Sequence, residues 1–311
     1  MTIHILQLLP VTPALDRALA ERFTVHRLFD ATDPAAFIAE RAALLRGVVT
    51  GGATGIANAV AAQLPALEIV AINGVGYDKV DLAYAKSRGV RVTNTPDVLT
   101  DDVADLAIGL VIATLRQIVR GDQHVRQGHW PAGELPLGTK VSGRQFGIFG
   151  LGRIGAAIAR RLEGFGGAIA YNNRTRRDVP YAYHDTLTAL AAASDVLILA
   201  VAASPETRGV VDRAVLDALG PQGVLINIAR GSVVDEPALI AALQDGRLGG
   251  AGLDVFADEP RVPPALFAMP NVVLTPHIAS ATHETRQAMG DLMLANLDAH
   301  FAGRALPSAV A

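Results

Sequence analysis

Three polar side chains in the C-terminal half of the chain each follow a run of apolar residues. Arg230 follows Val224 to Ile228 behind Ala229, Glu259 comes just after Gly252 to Phe256, and His277 follows Val272 to Leu274 behind Thr275-Pro276. Short apolar runs of this kind fit buried strands. In a doubly wound sheet, ligands bind outside the carboxyl ends of the strands, so the three residues can meet on one edge. Together they make an acid–base pair beside a fixed cation. An imidazolium can give up a proton, a neighbouring carboxylate favours that charged form, and a guanidinium fork grips an anion. Singly, each has a plainer use: a structural ion pair for the arginine, a satisfied structural histidine, and a solvated acidic turn for Glu259 beside Asp258. The combination carries the chemical reading.

The element that would position them lies near the middle of the chain. Phe146-Gly-Ile-Phe-Gly-Leu-Gly-Arg-Ile-Gly155 reads as a buried strand, a GxGxxG turn at Gly150, Gly152 and Gly155, and the start of a helix whose apolar positions Ile154, Ala157, Ile158 and Leu162 recur at helical spacing. A second strand follows at Ala168 to Tyr171. Strand, glycine turn and helix in this order make a dinucleotide-binding fingerprint. Gly150 permits the tight turn, Gly152 admits a pyrophosphate to the backbone, and Gly155 lets helix pack on strand. The anion sits at the helix N-terminus, where free N–H groups and the dipole favour it.

Composition narrows the class. The chain has 311 residues, half of them hydrophobic and 18% charged, which suits a globular α/β protein of two domains. A net charge of −3 gives no basic surplus for a nucleic-acid backbone. With no cysteine, disulfides and thiolate metal sites are excluded and a reducing compartment is permitted. No metal site is expected. The N-terminus lacks a basic leader, and apolar runs such as Val196 to Ala203 are too short to span a bilayer. The cytoplasm is the expected location, with no membrane partner.

Strands alternate with helices from Ile3 to Thr93, which predicts a parallel sheet. Asp101 to Arg120 then reads as one long, mostly apolar helix, followed by Gly128-His129-Trp130-Pro131 in a loop. Later strands are expected at Asp195–Val201, Val224–Ile228, Gly250–Val255 and Val272–Leu274, and Thr282 to Phe301 reads as a last long helix. The glycine-rich strand falls mid-chain, so a dinucleotide domain, residues 97–283, is inserted between two pieces of a substrate domain, 1–96 and 284–311.

The chain resembles the D-isomer-specific 2-hydroxyacid dehydrogenase family. The matching stretches are Asn73-Gly-Val-Gly-Tyr-Asp-Lys-Val-Asp81, Gly150-Leu-Gly-Arg-Ile-Gly155, Asn227-Ile-Ala-Arg-Gly-Ser-Val-Val-Asp235, Gly252-Leu-Asp-Val-Phe256 with Glu259-Pro260, and Leu274-Thr-Pro-His-Ile278. They run in family order over nearly the whole chain. The resemblance implies an α/β fold of two Rossmann- or flavodoxin-like doubly wound parallel-sheet domains with a cleft between them, paired as a homodimer through the nucleotide-binding domains. It implies Arg230, Glu259 and His277 as the catalytic set, reducing a 2-keto acid to the D-2-hydroxy acid. It assigns the substrate carboxylate to the main chain of Val75 and Gly76, with Thr54, Leu99, Trp130, Arg230 and His277 around the substrate. The cofactor would meet Gly150, Gly152, Arg153, Ile154 and Gly155. Beyond the turn it would meet Val201, Thr207, Ile228, Ala229 and Arg230, then Asp254, His277 and Ser280.

The end of the second Rossmann strand bears on which cofactor is used. An NAD site carries an acid there for the ribose 2′-hydroxyl. Here Asn172 stands at that point, followed by Asn173, Arg174, Thr175, Arg176 and Arg177. No carboxylate repels a 2′-phosphate, and Arg174 can pair with one, so NADP with NADPH preferred over NADH is expected, as in the glyoxylate/hydroxypyruvate reductase branch. A solvated basic loop on an NAD enzyme is the alternative. The resemblance to that branch implies that Trp130, in Gly128-His129-Trp130, reaches the partner's active site and favours small substrates; packing at the dimer interface alone is the other reading. A larger substrate such as a phenylpyruvate stays open. So does the non-enzyme reading, a nucleotide-sensing corepressor of the same fold, which the retained Arg, Glu and His disfavour.

Overall fold

The computed structural model describes residues 2–311. They divide into two compact units: residues through Leu99 together with Ser280–Ala311, and Thr100–Ala279. The sequence places these changes at Pro96 and His283. The chain passes from one unit to the other within four residues of both positions. Thr285 Oγ1 donates to the Val98 carbonyl at 3.5 Å, and Thr282 caps the last helix, His283–Phe301, by accepting the Thr285 N–H at 3.1 Å.

The first unit is built on five parallel strands: β1 (His4–Gln7), β2 (Thr24–Arg27), β3 (Leu45–Gly51), β4 (Ile69–Asn73) and β5 (Arg91–Thr93), in the order β2-β1-β3-β4-β5. This is the flavodoxin-like order. Alternate residues face opposite sides. Ile5, Val49, Ile69 and Ala71 pack with Leu15, Leu19, Leu294 and Leu297, while Leu6, Val48, Val70 and Ile72 pack with Ile38, Leu64 and Ala85 on the other side.

The second unit has seven: β6 (Phe146–Phe149), β7 (Ile169–Asn172), β8 (Ala182–Tyr183), β9 (Val196–Leu199), β10 (Val224–Asn227), β11 (Gly250–Leu253) and β12 (Val272–Leu274). Their order is β12-β11-β10-β9-β6-β7-β8, all parallel. The strand order reverses between β6 and β9, the topological switch point where such sheets take ligands. Near-continuous burial of these strands fits a sheet covered on both faces.

Two elements depart from the sequence reading. The long helix breaks: Thr100–Leu115 ends, Gln117 turns left-handed at φ 52°, and a second helix runs from Ile118 to Arg126. The Gln117 amide donates to the Pro136 and Leu137 carbonyls at 3.3 and 3.2 Å, which ties the break to the following loop. Strand β8 went unread because it is two residues long at a sheet edge and carries no apolar run. Among the described residues no helix is long and apolar enough to cross a membrane, and no cluster of three metal-ligating side chains exists.

The glycine turn is sterically tight. A Cβ on Gly155 would collide with the Gly150 carbonyl oxygen, and one on Gly150, whose φ is +100°, would lie 2.6 Å from the Val201 nitrogen. Gly155→Ala should therefore destabilise the protein by about 1–3 kcal/mol through overpacking. An unchanged urea midpoint would show that helix and strand can separate there at no cost.

Candidate active site

Strands β10, β11 and β12 are neighbours in register, with Asn227 paired to Leu253 and Leu253 to Leu274. Their carboxyl ends deliver Arg230, Glu259 and His277 respectively. His277 Nδ1 lies 2.6 Å from Glu259 Oε2, and both side chains are about one-third exposed or less. The second Glu259 oxygen accepts the Phe256 N–H at 3.0 Å. Burial pushes the Glu259 carboxyl upward, but bonds from His277 and Phe256 and the charges of His277 and Arg230 outweigh it and hold the carboxyl below its ordinary range.

Arg230 is half-buried and its charge acts on Glu259. Its Nη1 donates to the Ala229 carbonyl at 2.8 Å. Asn227 steadies the turn, its Oδ1 accepting the Ala229 N–H and its Nδ2 donating to the Arg230 carbonyl. A Cβ on Gly231 would run into the Phe256 carbonyl, so the turn after β10 lies directly on the loop that carries Glu259.

His277 has a left-handed backbone, φ 54°, unusual for a residue with a side chain. Fully buried Asp254, at the end of β11, holds it there. Its carboxylate accepts from Thr275 Oγ1 at 2.7 Å, from the Ile278 N–H at 2.8 Å and from the Ala279 N–H at 3.0 Å, while its carbonyl accepts the His277 N–H at 2.9 Å. Sequence reasoning assigned Asp254 to the cofactor and overlooked this clamp, as it overlooked Asn227. The polar residue at a strand end was the available signal in both cases.

At the glycine turn, Gly152 caps the helix Arg153–Leu162 with no side-chain bond, and a Cβ there would meet nothing within 4 Å. The helix thus opens on free space with backbone donors, as a pyrophosphate requires. Asn173 Oδ1 accepts the Leu151 N–H at 2.6 Å and buttresses the turn. Arg174 and Thr175 are exposed just beyond. Asn172 is buried, its amide donating to the His184 carbonyl at 2.7 Å. Thr207 Oγ1 accepts the Ser204 N–H and donates to the Ala202 carbonyl. Ile228 and Ala229 are buried, and Arg153 is exposed with Ile154 and Val201 half-buried.

The remaining predicted residues divide between the units. In the first unit, Gly55 lies so close to Lys79 that a Cβ would collide with its carbonyl, and a Cβ on Gly74 would come 3.3 Å from the Gly52 nitrogen. The loops bearing Thr54 and Val75-Gly76 are therefore side by side. Leu99 is buried and Ser280 half-buried in that unit. Trp130 belongs to the second unit and is 65% exposed.

The fold and site define a dinucleotide-dependent oxidoreductase architecture. Residues 108–279 match the description "D-isomer specific 2-hydroxyacid dehydrogenase, NAD binding domain", and the chain belongs to that family. It is 50% identical to a hydroxyphenylpyruvate reductase of Plectranthus scutellarioides over 98% of this chain and 97% of the relative. It is also 50% identical to a glyoxylate/hydroxypyruvate reductase of Arabidopsis thaliana, covering 98% of both chains. Among solved structures, an NADPH-dependent glyoxylate/hydroxypyruvate reductase from Sinorhizobium meliloti, in complex with NADP and malonate, superposes with a TM-score of 0.95 at 47% identity, covering 100% of this chain and 97% of that one.

The Glu259 shift gives a pH signature. Its folded pKa lies below the unfolded one, so the stabilisation is present above the unfolded value, about 4.3, and is lost as pH falls through the folded value. Wild type should melt above Glu259→Gln near neutrality, and the gap should close as pH drops towards 3. A gap constant from pH 7 to 3 would mean that the carboxylate contributes nothing through its charge.

Proposed function

We propose that the protein reduces a small 2-keto acid of the glyoxylate/hydroxypyruvate class to the D-2-hydroxy acid, with NADPH preferred over NADH. The observation that carries this reading is the 2.6 Å contact of His277 with Glu259, beside Arg230, at the carboxyl end of a dinucleotide-binding sheet. The names of the relatives support it. Bound NADPH supplies a hydride to C2. Protonated His277 gives its Nε2 proton, the one not engaged by Glu259, to the keto oxygen, and Glu259 orients the ring and balances its charge. Positioned proton transfer of this kind contributes roughly 10²- to 10⁴-fold. Arg230 grips the carboxylate and polarises the keto oxygen. The main-chain N–H groups of Val75 and Gly76 are assigned the same carboxylate, and Thr54, Leu99 and Trp130 border the substrate.

The NADPH preference rests on the basic, acid-free stretch after β7. Arg174 is exposed, and its charge reaches Glu206; a 2′-phosphate would give it a bidentate partner. A second reading, a larger substrate, is favoured by the hydroxyphenylpyruvate reductase at 50% identity. Assays of NADPH and NADH oxidation with glyoxylate, hydroxypyruvate and hydroxyphenylpyruvate test both. Hydroxyphenylpyruvate as the best substrate by kcat/KM would transfer the assignment to the larger acid. Arg174→Ala should raise KM for NADPH about tenfold or more, the worth of one charged hydrogen bond, and leave KM for NADH little changed. Equal wild-type kcat/KM for the two cofactors refutes the preference.

A homodimer belongs to the same reading. Ile118, Val119, Val125, Trp130 and Leu137 are all exposed, Leu137 at 95%, within one short stretch of the second unit. An apolar cluster of that kind marks an interaction surface, and a second copy of this chain is its proposed occupant. Sedimentation velocity should give a dimer for wild type and a monomer for Val125→Asp. A monomeric wild type at micromolar concentration overturns the assignment.

A further inference from the structure

The loop after β7 carries three arginines, Arg174, Arg176 and Arg177, and its main chain is fastened at both ends. At its start, the Asn172 carbonyl accepts the Gly150 N–H at 3.0 Å, and Asn173 Oδ1 accepts the Leu151 N–H at 2.6 Å. The Asn173 carbonyl accepts the Tyr183 hydroxyl at 3.1 Å. At its end, one side chain holds Arg177 twice. The Tyr171 hydroxyl accepts the Arg177 N–H at 2.7 Å and donates to the Arg177 carbonyl at 2.9 Å.

Tyr171 is fully buried in β7, where a phenylalanine ring would fill the same space. Its hydroxyl is the one group that distinguishes the two, and burying a hydroxyl is costly unless it bonds. Here both of its bonds go to Arg177. Tyr183 pairs with Tyr171 across β7 and β8, with ring centroids 5.3 Å apart. The Arg176 guanidinium lies 5.9 Å from the centre of the Tyr183 ring, a cation–π contact that draws it to the tyrosine pair. Arg174 stands between the two fastened ends and is exposed.

The fastening also joins two places suited to anions. Leu151 lies between Gly150 and Gly152, so the basic loop and the glycine turn are bonded to each other. A dinucleotide with a 2′-phosphate carries an anion to both: its pyrophosphate to the N-terminus of helix Arg153–Leu162, its 2′-phosphate to the loop. One without the 2′-phosphate uses only the first. A loop free to drift would keep the pyrophosphate and lose the second contact, because affinity depends on groups that need no ordering.

We infer that Tyr171 and Tyr183 act as positioning residues for cofactor choice: their hydroxyls hold the Arg174 loop in place against the glycine turn, so that one ligand meets both. The inference rests on the NADPH reading above. Calorimetric binding of 2′,5′-ADP and of 5′-AMP tests it, since the two differ by the 2′-phosphate alone. Wild type should bind 2′,5′-ADP more tightly. Tyr171→Phe should lower the ratio of the two affinities about fivefold, as loss of a hydrogen bond does. Tyr183→Phe, which removes one bond and not two, should lower it by less. If Tyr171→Phe does not fold, Tyr183→Phe carries the test, its side chain being less buried. A ratio unchanged in the folded variants, with only the melting temperature or both affinities lower, would make the tyrosines structural and overturn the inference while the NADPH reading stands. A wild type that binds 2′,5′-ADP no better than 5′-AMP would remove the NADPH reading and the inference with it.

Discussion

A buried carboxylate governs the geometry of the active site. Asp254 emerges at the end of β11 with no exposure and meets its desolvation with three donors, all drawn from Thr275 to Ala279. Those bonds fix the loop after β12 in a conformation it would otherwise avoid. A left-handed residue bearing a side chain costs about 1–2 kcal/mol, and His277 adopts that conformation at φ 54°. The result is an imidazole aimed along the sheet edge at Glu259 rather than away from it. The acid–base pair thus depends on a third residue that touches neither member through its side chain.

Close backbone approach supplies the other coordinate. Gly231 lets the turn after β10 lie against the Phe256 carbonyl, which brings the arginine-bearing loop onto the glutamate-bearing one. Gly150 does the same for the turn after β6 and the segment after β9, on either side of the strand-order reversal. Both are places where main chain meets main chain and any side chain would hold the layers apart. The seven-stranded sheet aligns the strand ends, but contacts at glycine set how closely the functional loops meet.

Much of this was legible in residue types. Strict alternation of apolar runs and helical periodicity disclosed the parallel sheets, and polar residues after apolar runs disclosed Arg230, Glu259 and His277. The Asp254 clamp was not legible, because two of its three donors are backbone N–H groups, which every residue except proline has. Asn172 looked like the residue beside the ribose by position, yet its amide faces the His184 carbonyl and supports β8. The break at Gln117 escaped because apolar residues continue on both sides of it, and periodicity cannot register a single left-handed residue. Strand β8 escaped because two residues carry no period at all.

The two units differ in how their polar groups are satisfied, and the difference has a functional logic. In the second, Asp254 and Thr275 bond each other, Asn227 and Glu259 bond the backbone, and Glu259 meets His277, so the candidate side chains are oriented before any ligand arrives; electrostatic groups work best when they need no reorganisation. In the first, Gln7 Oε1, Asn73 Oδ1 and Thr95 Oγ1 are buried without a protein partner towards the carboxyl end of a five-stranded sheet. A buried polar atom left without a bond costs about 1–3 kcal/mol of stability. A reaction common to many 2-keto acids needs a fixed proton donor and anion grip. Discrimination among those acids needs groups left unsatisfied by the wrong one, since a site built to bond a hydroxyl rejects the analogue lacking it far better than an apolar wall rejects a methyl.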